Sequence, residues 1–456
     1  MGKDLMEARN PQRELMPNKV GSEQPERTSL RGIAEKAKRN KQHRFTDLYR
    51  LLNPGMLLLA WNGIDKKAAI ADDDITVEEY ALDLENNLQK LCERLKAKRY
   101  KTKLTKRRYI PKGNGGTRPL GIPALEDKIV QKAASLILEA IYEQDFLDCS
   151  YGYRPERSAK DAVSDLTYQL QYGVYGYIVE ADIKGFFDHI DHGKLLEMLS
   201  TRINDKAFLW LIGKWLKAGI LEPEGYVIHP DTGTPQGGIV SPILANVYLH
   251  VVLDEWFHQV VKPRLKGRAI LFRYADDYVS AFQLMEDANR FYGVHPKRLG
   301  RYGLEVEPTK TRIIRFSRFH PGMRNRFSFL GFEIYWFRDR SGKPRVMRRT
   351  ARKRQQASLR KIKEWIKTER HKPLPFYLGM LKRKLVGHYN YYYVRGNSRS
   401  VWSFFGEVIR TLFKWLNRRS QRKSYSWEKF NLMVKRAGIP RPRLTEKKRH
   451  HQLVLA

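Results

Sequence analysis

The chain has 456 residues, 42% hydrophobic and 12% aromatic, a globular composition long enough for about two to four domains and unlike that of a disordered protein. Its 86 lysines and arginines stand against 49 acids and leave a formal net charge of +37, which repels itself unless a polyanion is bound, so nucleic acid is the expected partner. No apolar run approaches the roughly 18 residues of a spanning helix, "MLLLAW" being among the longest, and no membrane span is expected.

Residues 1–45 are polar and charged, without sustained apolar periodicity until "FTDLYRLL", and are expected to form a flexible basic arm. The start has no apolar signal core, and Met6 stands where a myristoylation motif would carry Ser or Thr. A soluble protein of the bacterial cytoplasm, or of an organelle matrix in a eukaryote, is expected. In "TVEEYALDLENNLQKLCERLKAKRY" the residues Tyr80, Leu84, Leu88, Leu91 and Leu95 recur at three- and four-residue steps, predicting an amphipathic helix. Turn chemistry in "PKGNGGTRPLGIP" precedes a second helix in "EDKIVQKAASLILEAIYEQDF". Cys92 and Cys149 cannot make a disulfide framework or a four-cysteine zinc site and are expected to be buried packing residues.

Further on, "YGYIVEADIKGFFDHI" is a strand-type run that ends at Asp182 in a Gly-containing turn. Helical segments follow in "GKLLEMLS" and "KAFLWLIGKWLKAGI", then the loop "TGTPQGGIVSP" and the helix "ILANVYLHVVLDEWFHQVV". Next, "LFRYADDYVSAF" sets two acids side by side among residues that favour sheet. Side chains alternate faces along a strand, so one buried face could hide only one of Asp276 and Asp277. The segment reads as a hairpin with Ala275-Asp276-Asp277 as its break, although an ordinary polar turn would carry the same pair. "RYGLEVEPTKTRIIRF" and "FSFLGFEIYW" are short strand candidates, making the middle of the chain α+β.

A domain boundary is expected near 342, at "RSGKP". Beyond it "RRTARKRQQASLRKIKEWIKTER" sets Leu359, Ile362, Trp365 and Ile366 on one helical face, with basic residues almost everywhere else. The remainder is helical, basic and aromatic. Trp402, Phe404, Phe405, Phe413 and Trp415 recur at helical steps and are expected in a helix core. Arg418, Arg419, Arg422 and Lys423 are too dense for a merely solvated face, which points to RNA phosphate.

Phosphoryl transfer uses a divalent metal, and Mg²⁺ takes hard oxygen ligands from a few carboxylates and substrate phosphates. Asp182 and the Asp276–Asp277 pair suit that need, and acids at neighbouring strand ends could bridge two ions. Lys112 and Arg118 flank the Gly-rich turn, where cations beside exposed amides suit a triphosphate.

With these blocks assembled, "RYADDYVS" resembles the Tyr-x-Asp-Asp hairpin of reverse transcriptases. "ADIKGFFDHID", "GTPQGGIVSPILANVYL", "GLEVEPTKTRI" and "FSFLGFEI" resemble further blocks of the same palm, in the family's order. Upstream, "IPKGNGGTRPLGIPALEDKIVQKA" and "YGYRPERSAKDAV" are similar to the fingers of the group II intron lineage, and "GHYNYYYV" with the Trp- and Arg-rich stretch after it is similar to a maturase thumb and domain X. The resemblance spans roughly residues 50–450 and implies an α+β right-hand polymerase followed by a helical thumb and domain X. The implied layout is an arm over 1–45, fingers over 46–175, palm with an antiparallel sheet over 176–341, thumb over 342–400 and the rest of domain X over 401–456.

The resemblance also implies roles. Asp182 and Asp276 would be the principal ligands of two Mg²⁺ ions, with Asp277 beside them and more peripheral. Phe187 stands where the family has the bulky gate against a ribose 2′-hydroxyl, which implies deoxynucleoside triphosphates as substrates. Gln236 matches a glutamine near the incoming nucleotide, and Lys310 a palm lysine that protonates departing pyrophosphate or holds its charge. An RNA template, a DNA primer and a group II intron RNA are the implied partners; assembly as a homodimer is left open. Many proteins of this lineage end in a zinc-containing endonuclease domain, whereas "EKKRHHQLVLA" lacks the ligand spacing for one, so none is expected. Two other readings stand beside this one: a splicing-only RNA-binding maturase, and a domesticated relative acting in repair or phage defence.

Overall fold

The computed structural model describes residues 29–66, 76–111, 116–234, 237–320, 325–419 and 424–444. They fold as two compact units, residues 1–147 with 185–251 and residues 148–184 with 252–456.

Helix α1 (Leu30–Arg39) starts at Ser29, whose hydroxyl accepts from the Gly32 N–H, and buries Ile33 and Ala37. The expected loose arm therefore does not hold for residues 30–45, because α1 packs on α5, Arg202 donates to the Ala37, Asn40 and His43 carbonyls, and Phe45 is buried. Residues 1–28 lie outside the described residues. Helix α2 (Pro54–Gly63) has Asn53 as its cap and proline at its first position. The single helix expected after residue 76 is two, α3 (Val77–Leu82) and α4 (Leu84–Lys96). A Thr76–Glu79 capping box opens the first, but Asp83 leaves helical geometry, and the Asn87 side chain donates to the Tyr80 carbonyl across the break. The apolar spacing survives because both helices bury the same face.

Strands β1 (Thr105–Pro111) and β2 (Thr117–Ile122) pair antiparallel and lead into α5 (Leu125–Tyr142), which is buried along most of its surface and carries α1 and α2. Helix α6 (Ala159–Tyr172) and strand β3 (Tyr177–Asp182) belong to the second unit. Helices α7 (His192–Ser200) and α8 (Lys206–Leu216), the short strands β4 (Ile220–Leu221) and β5 (Val227–Ile228), and α9 (Ser241–Leu249) belong to the first. Its sheet runs β2-β1-β4-β5.

After α9 the chain continues as a wider π-type helix over His250–Val261. Strands β6 (Ala269–Tyr274) and β7 (Asp277–Phe282), helix α10 (Met285–Gly300) and strand β8 (Arg312–Arg315) follow. With β3 they form an antiparallel sheet in the order β6-β7-β3-β8. One face sets Ile178, Ile270, Phe272, Val279 and Ala281 in a core with Leu166 and Leu170 of α6. On the other, Phe282 meets Phe257 and Phe291, and Tyr278 meets His295. Burial on both faces is why these strands read as nearly continuous apolar runs.

Strands β9 (Phe327–Phe329), β10 (Phe332–Arg338) and β11 (Pro344–Thr350) make a second antiparallel sheet, and Phe327, Phe329, Phe332 and Trp336 add aromatic bulk to the first core. "RSGKP" closes the β10–β11 hairpin: the Asp339 carboxylate accepts from the Ser341 and Lys343 N–H groups. Helices begin only at α11 (Arg352–Thr368), followed by α12 (Leu374–Tyr392), α13 (Ser398–Leu416) and α14 (Trp427–Arg436), with a core of their own built on Ile366, Tyr377, Leu381, Leu385, Phe404 and Leu412. Phe404, Phe405, Phe413 and Trp415 join or pack against that core as expected, whereas Trp402 is 44% exposed. Both cysteines are buried and free. Among the described residues no helix is long and apolar enough to cross a membrane.

Asn397 ties this helical region to β11. Its buried side chain accepts from the Thr350 N–H at 2.8 Å and donates to the Thr350 hydroxyl at 2.8 Å and the Tyr392 carbonyl at 2.7 Å. Asn397→Ala strands these groups and should cost about 3 kcal/mol in urea unfolding; a loss under about 1 kcal/mol would show the junction to be slack.

Candidate active site

Strands β6 and β7 are joined by the two-residue loop Ala275–Asp276, closed by the Tyr274–Asp277 pair. Such short hairpin loops need positive φ, and Ala275 supplies it at 55°, a conformation that L residues seldom adopt. Asp277 is thus the first residue of β7 and not part of the break, while Asp276 occupies the loop. Asp182 is the last residue of β3 and lies directly across from Asp277. The three acids singled out in the sequence therefore stand together at one end of the central sheet, with Glu180 two residues back on the same face as Asp182.

Like charges directly opposed across an antiparallel pair destabilise it. Several donors offset the repulsion. The Lys310 ammonium, in a short turn before β8, donates to Asp182. The Leu330 N–H donates to Asp277 Oδ2 at 3.2 Å. Glu180 accepts from Arg312 Nε at 2.9 Å and from the Ser328 N–H at 3.1 Å. Asp277 is only partly buried as a residue, but its carboxyl group is closely surrounded, and burial pushes its pKa up to about 7. The Leu330 N–H opposes that rise, while the nearby Asp182, Asp276 and Glu180 charges add to it. Lys310 is held protonated above the ordinary lysine range, first by its hydrogen bond to Asp182 and then by the charges of Asp182, Glu307 and Asp276, against partial desolvation.

Leu330 and Gly331, both at positive φ (51° and 78°), make the tight turn between β9 and β10. The Leu330 carbonyl accepts from the Tyr391 hydroxyl of α12 at 3.0 Å, so a single residue joins this helix to Asp277. Gly331 signals the turn in sequence, but nothing in sequence signals the link from Tyr391.

Acceptor-only carboxylates clustered at strand ends are the donor set a hard divalent cation takes, and the Lys310 ammonium already fills the role of counter-cation to Asp182. By their chemistry the carboxylates suit a divalent cation. Although the three acids share one end of the sheet, among the described residues no three acids, histidines or cysteines are placed to hold a metal ion as they stand.

Other expected site residues lie in the first unit. Arg118 is exposed on β2, opposite Ile110 of β1. Phe187 is buried, its ring edge-on to Phe186 at 5.3 Å, and its carbonyl accepts from the Thr234 N–H at 2.8 Å. Lys112 and Gln236 lie outside the described residues. Just after Gln236, Gly237 has φ of 118°, and a Cβ there would meet the Gly121 carbonyl oxygen of β2 at 2.4 Å. The Gln131 side chain accepts from the Ile239 N–H at 3.0 Å. Gly237 therefore lies close against β2, the strand that carries Arg118, and Ile239 is bonded to α5. Of the expected RNA contacts, Arg418 is exposed with its guanidinium 5.5 Å from the Trp415 ring centre, and Arg419 donates to the Lys372 carbonyl at 3.0 Å. Arg422 and Lys423 lie outside the described residues.

Residues 110–334 match the family model described as reverse transcriptase (RNA-dependent DNA polymerase). The chain is 34% identical over 295 residues to protein YkfC of Escherichia coli K12, covering 57% of this chain and 74% of that one. It is 40% identical over 239 residues to the group II intron-encoded protein LtrA of Lactococcus lactis subsp. cremoris, covering 52% of this chain and 39% of LtrA. A 91 kDa protein in the cob intron of Schizosaccharomyces pombe is 39% identical over 219 residues, covering 47% of this chain and 26% of its own length. The chain thus spans less than half the length of two of these relatives.

Asp277 imposes a pH dependence whose sign follows from its raised pKa. A free aspartate ionises near 3.9, so between about pH 4 and 7 the folded state holds the proton longer than the unfolded chain, and stability falls as pH rises. The whole penalty is present above pH 7. Asp277→Asn should then stabilise the protein at pH 8, by up to about 4 kcal/mol, and leave stability at pH 4 nearly unchanged. Urea unfolding at both pH values checks this; the same change at both would mean that Asp277 ionises without penalty.

Proposed function

The chain belongs to the reverse transcriptase (RNA-dependent DNA polymerase) family, among its group II intron-encoded reverse transcriptase/maturase members, and from that premise we propose that it copies RNA into DNA and also binds an intron RNA to promote splicing and mobility. The observation that carries the reading is the placing of Asp182, Asp276 and Asp277 at one end of the β6-β7-β3-β8 sheet, with Lys310 beside them.

In this reading Asp182 and Asp276 hold two Mg²⁺ ions, with Asp277 beside them and restrained by the Leu330 N–H. Bound there, the ions would activate the primer 3′-hydroxyl and steady the triphosphate and leaving group. We assign Arg118 and Lys112 to the triphosphate of a deoxynucleotide and Gln236 to its sugar and base, from the motifs they occupy in the sequence. The backbone of Phe187 is tied to the loop that leads to Gln236, which supports a ring held still enough to exclude a 2′-hydroxyl. Lys310, kept protonated by its acidic neighbours, has a proton or a charge to offer departing pyrophosphate.

We assign fingers to 46–175 and palm from 176; the expected boundary at 342 falls inside the β10–β11 hairpin, so the helical thumb and domain X begin with α11 at Arg352, and their helices share one core across residue 400. The RNA template, DNA primer and intron RNA are held largely through the basic excess, with Arg418, Arg419, Arg422 and Lys423 among the intron contacts. The setting is a bacterial cytoplasm or an organelle matrix.

Primer extension on an RNA template with Mg²⁺ tests the polymerase. Native protein should incorporate deoxynucleotides in preference to ribonucleotides, and Asp276→Asn should lose at least about 100-fold in rate while binding template and primer normally. Extension by the variant at the native rate would remove Asp276 from the chemistry. Native protein that binds RNA tightly but makes no DNA would leave a splicing-only maturase. Reversing Arg418 and Arg419 to Glu should weaken intron RNA binding and flatten its salt dependence by roughly one unit of slope per residue. Unchanged binding would clear that patch of an RNA role.

A further inference from the structure

A charged pair lies fully buried behind the carboxylate hairpin, and nothing above has given it a task. Arg273, the second-last residue of β6, and Asp254, on the π-type helix, both have side chains with no exposure at all. Arg273 Nε and Nη2 donate to the two Asp254 oxygens at 2.8 and 2.6 Å. Nη2 also donates to the Ser150 hydroxyl at 2.7 Å, and Nη1 to the Ala275 carbonyl at 3.2 Å. The backbone repeats the grip: the Arg273 N–H donates to the Cys149 carbonyl, and the Tyr151 N–H to the Arg273 carbonyl, both at 2.8 Å. One residue further, Gly152 comes so close that a Cβ on it would lie 2.4 Å from the Ala275 nitrogen.

A buried ion pair is a poor way to gain stability, because well-packed apolar residues of the same volume often serve as well or better. What a planar, two-pronged guanidinium supplies is direction. Here an Nη1 donor of the same guanidinium reaches the carbonyl of Ala275, the strained residue immediately before Asp276 and Asp277. A backbone held away from its preferred conformation persists only where its surroundings overdetermine it.

We propose that Arg273 and Asp254, with Ser150, form the positioning device of the carboxylate hairpin: they hold Ala275 in its left-handed conformation and thereby set where Asp276 and Asp277 present oxygens to divalent cations. The inference rests on the polymerase reading for the task those cations perform, but not for the geometry. Neither Arg273 nor Asp254 touches a reacting group, so both act through the loop. The device also gives a purpose to the "CSYG" segment, residues 149–152, which supplies the hydroxyl, two backbone partners and the glycine.

The test uses the full chain. Arg273→Met combined with Asp254→Leu removes both charges of the pair together and replaces them by apolar side chains; Ser150→Ala removes one hydroxyl only. Mn²⁺ binding is followed by electron paramagnetic resonance, with Asp276→Asn marking which sites belong to the hairpin. The Mg²⁺ dependence of primer extension, RNA affinity and thermal melting are measured beside it. The folded double variant is expected to bind hairpin Mn²⁺ at least about 10-fold more weakly and to need correspondingly more Mg²⁺, with RNA affinity unchanged, and Ser150→Ala should shift the same way by less.

A folded double variant with native Mn²⁺ affinity and Mg²⁺ dependence would overturn the proposal. If the double variant does not fold, Ser150→Ala decides: weaker Mn²⁺ binding at native melting temperature upholds the device, and native binding overturns it. Should the native protein bind Mn²⁺ through Asp276 yet make no DNA, the polymerase reading fails while the Mn²⁺ comparison still judges the positioning. Native protein with no Mn²⁺ binding that depends on Asp276 would sink the proposal itself.

Discussion

Two carboxylates face each other across the β3–β7 ladder, and much of the second unit can be understood as the means of tolerating them. Asp182 and Asp277 occupy opposed positions on neighbouring antiparallel strands, where like charges repel, and Asp276 adds a third acid in the adjoining loop. The protein answers with positive charge at Asp182, a backbone N–H at Asp277, and a proton held on Asp277 up to about neutral pH. A site that stores this much unfavourable interaction is primed for a strong external cation, because cation binding relieves a cost that folding has already met.

The central sheet can carry this site because its strands β3, β6 and β7 are largely buried. Apolar residues fill both faces of these strands, and the three candidate ligand acids are confined to the strand ends and the loop. Two turns at the site contain non-glycine residues with positive φ, Ala275 and Leu330, and each is held by side chains from elsewhere in the chain. Arg273 reaches the carbonyl of the first and Tyr391 that of the second. Strained backbone beside a functional group is expected where placement matters more than local stability. Leu330 adds a link of another kind, since its N–H meets Asp277 while its carbonyl meets a helix of the C-terminal region. A shift of α12 would be felt at the acid through one residue.

Much of the fold was legible in the sequence for a simple reason: long elements with regular apolar spacing form wherever the chain places them. Helix α5, helix α13 and strands β3, β6 and β7 are of this kind, their apolar content and local propensity agreeing with their final burial. Misreadings came where a local signal was right but its meaning depended on distant partners. "RSGKP" is a turn, as its residues say, yet it joins two strands of one sheet and not two domains. The Tyr80-to-Leu95 stripe is a single buried face, yet a side-chain hydrogen bond from Asn87 lets it bridge two helices. Helix α1 has too little apolar content to announce itself and is helical because Ile33 and Ala37 have somewhere to pack.

The sequence by itself determined the kinds of chemistry this protein can perform: acids at strand ends, a surplus of base suited to polyanions, glycines where backbone must approach closely, and an order of blocks that identifies the family. Tertiary structure alone decided which groups meet. Asp182 and Asp277 are 95 residues apart, Ser150 and Arg273 123, and Leu330 and Tyr391 61, yet each pair is brought together in the folded chain. Residue type and local spacing carry propensity, charge and periodicity. Contact between residues so far apart depends on strand register and on which faces the helices cover, and these are set only when the whole core packs.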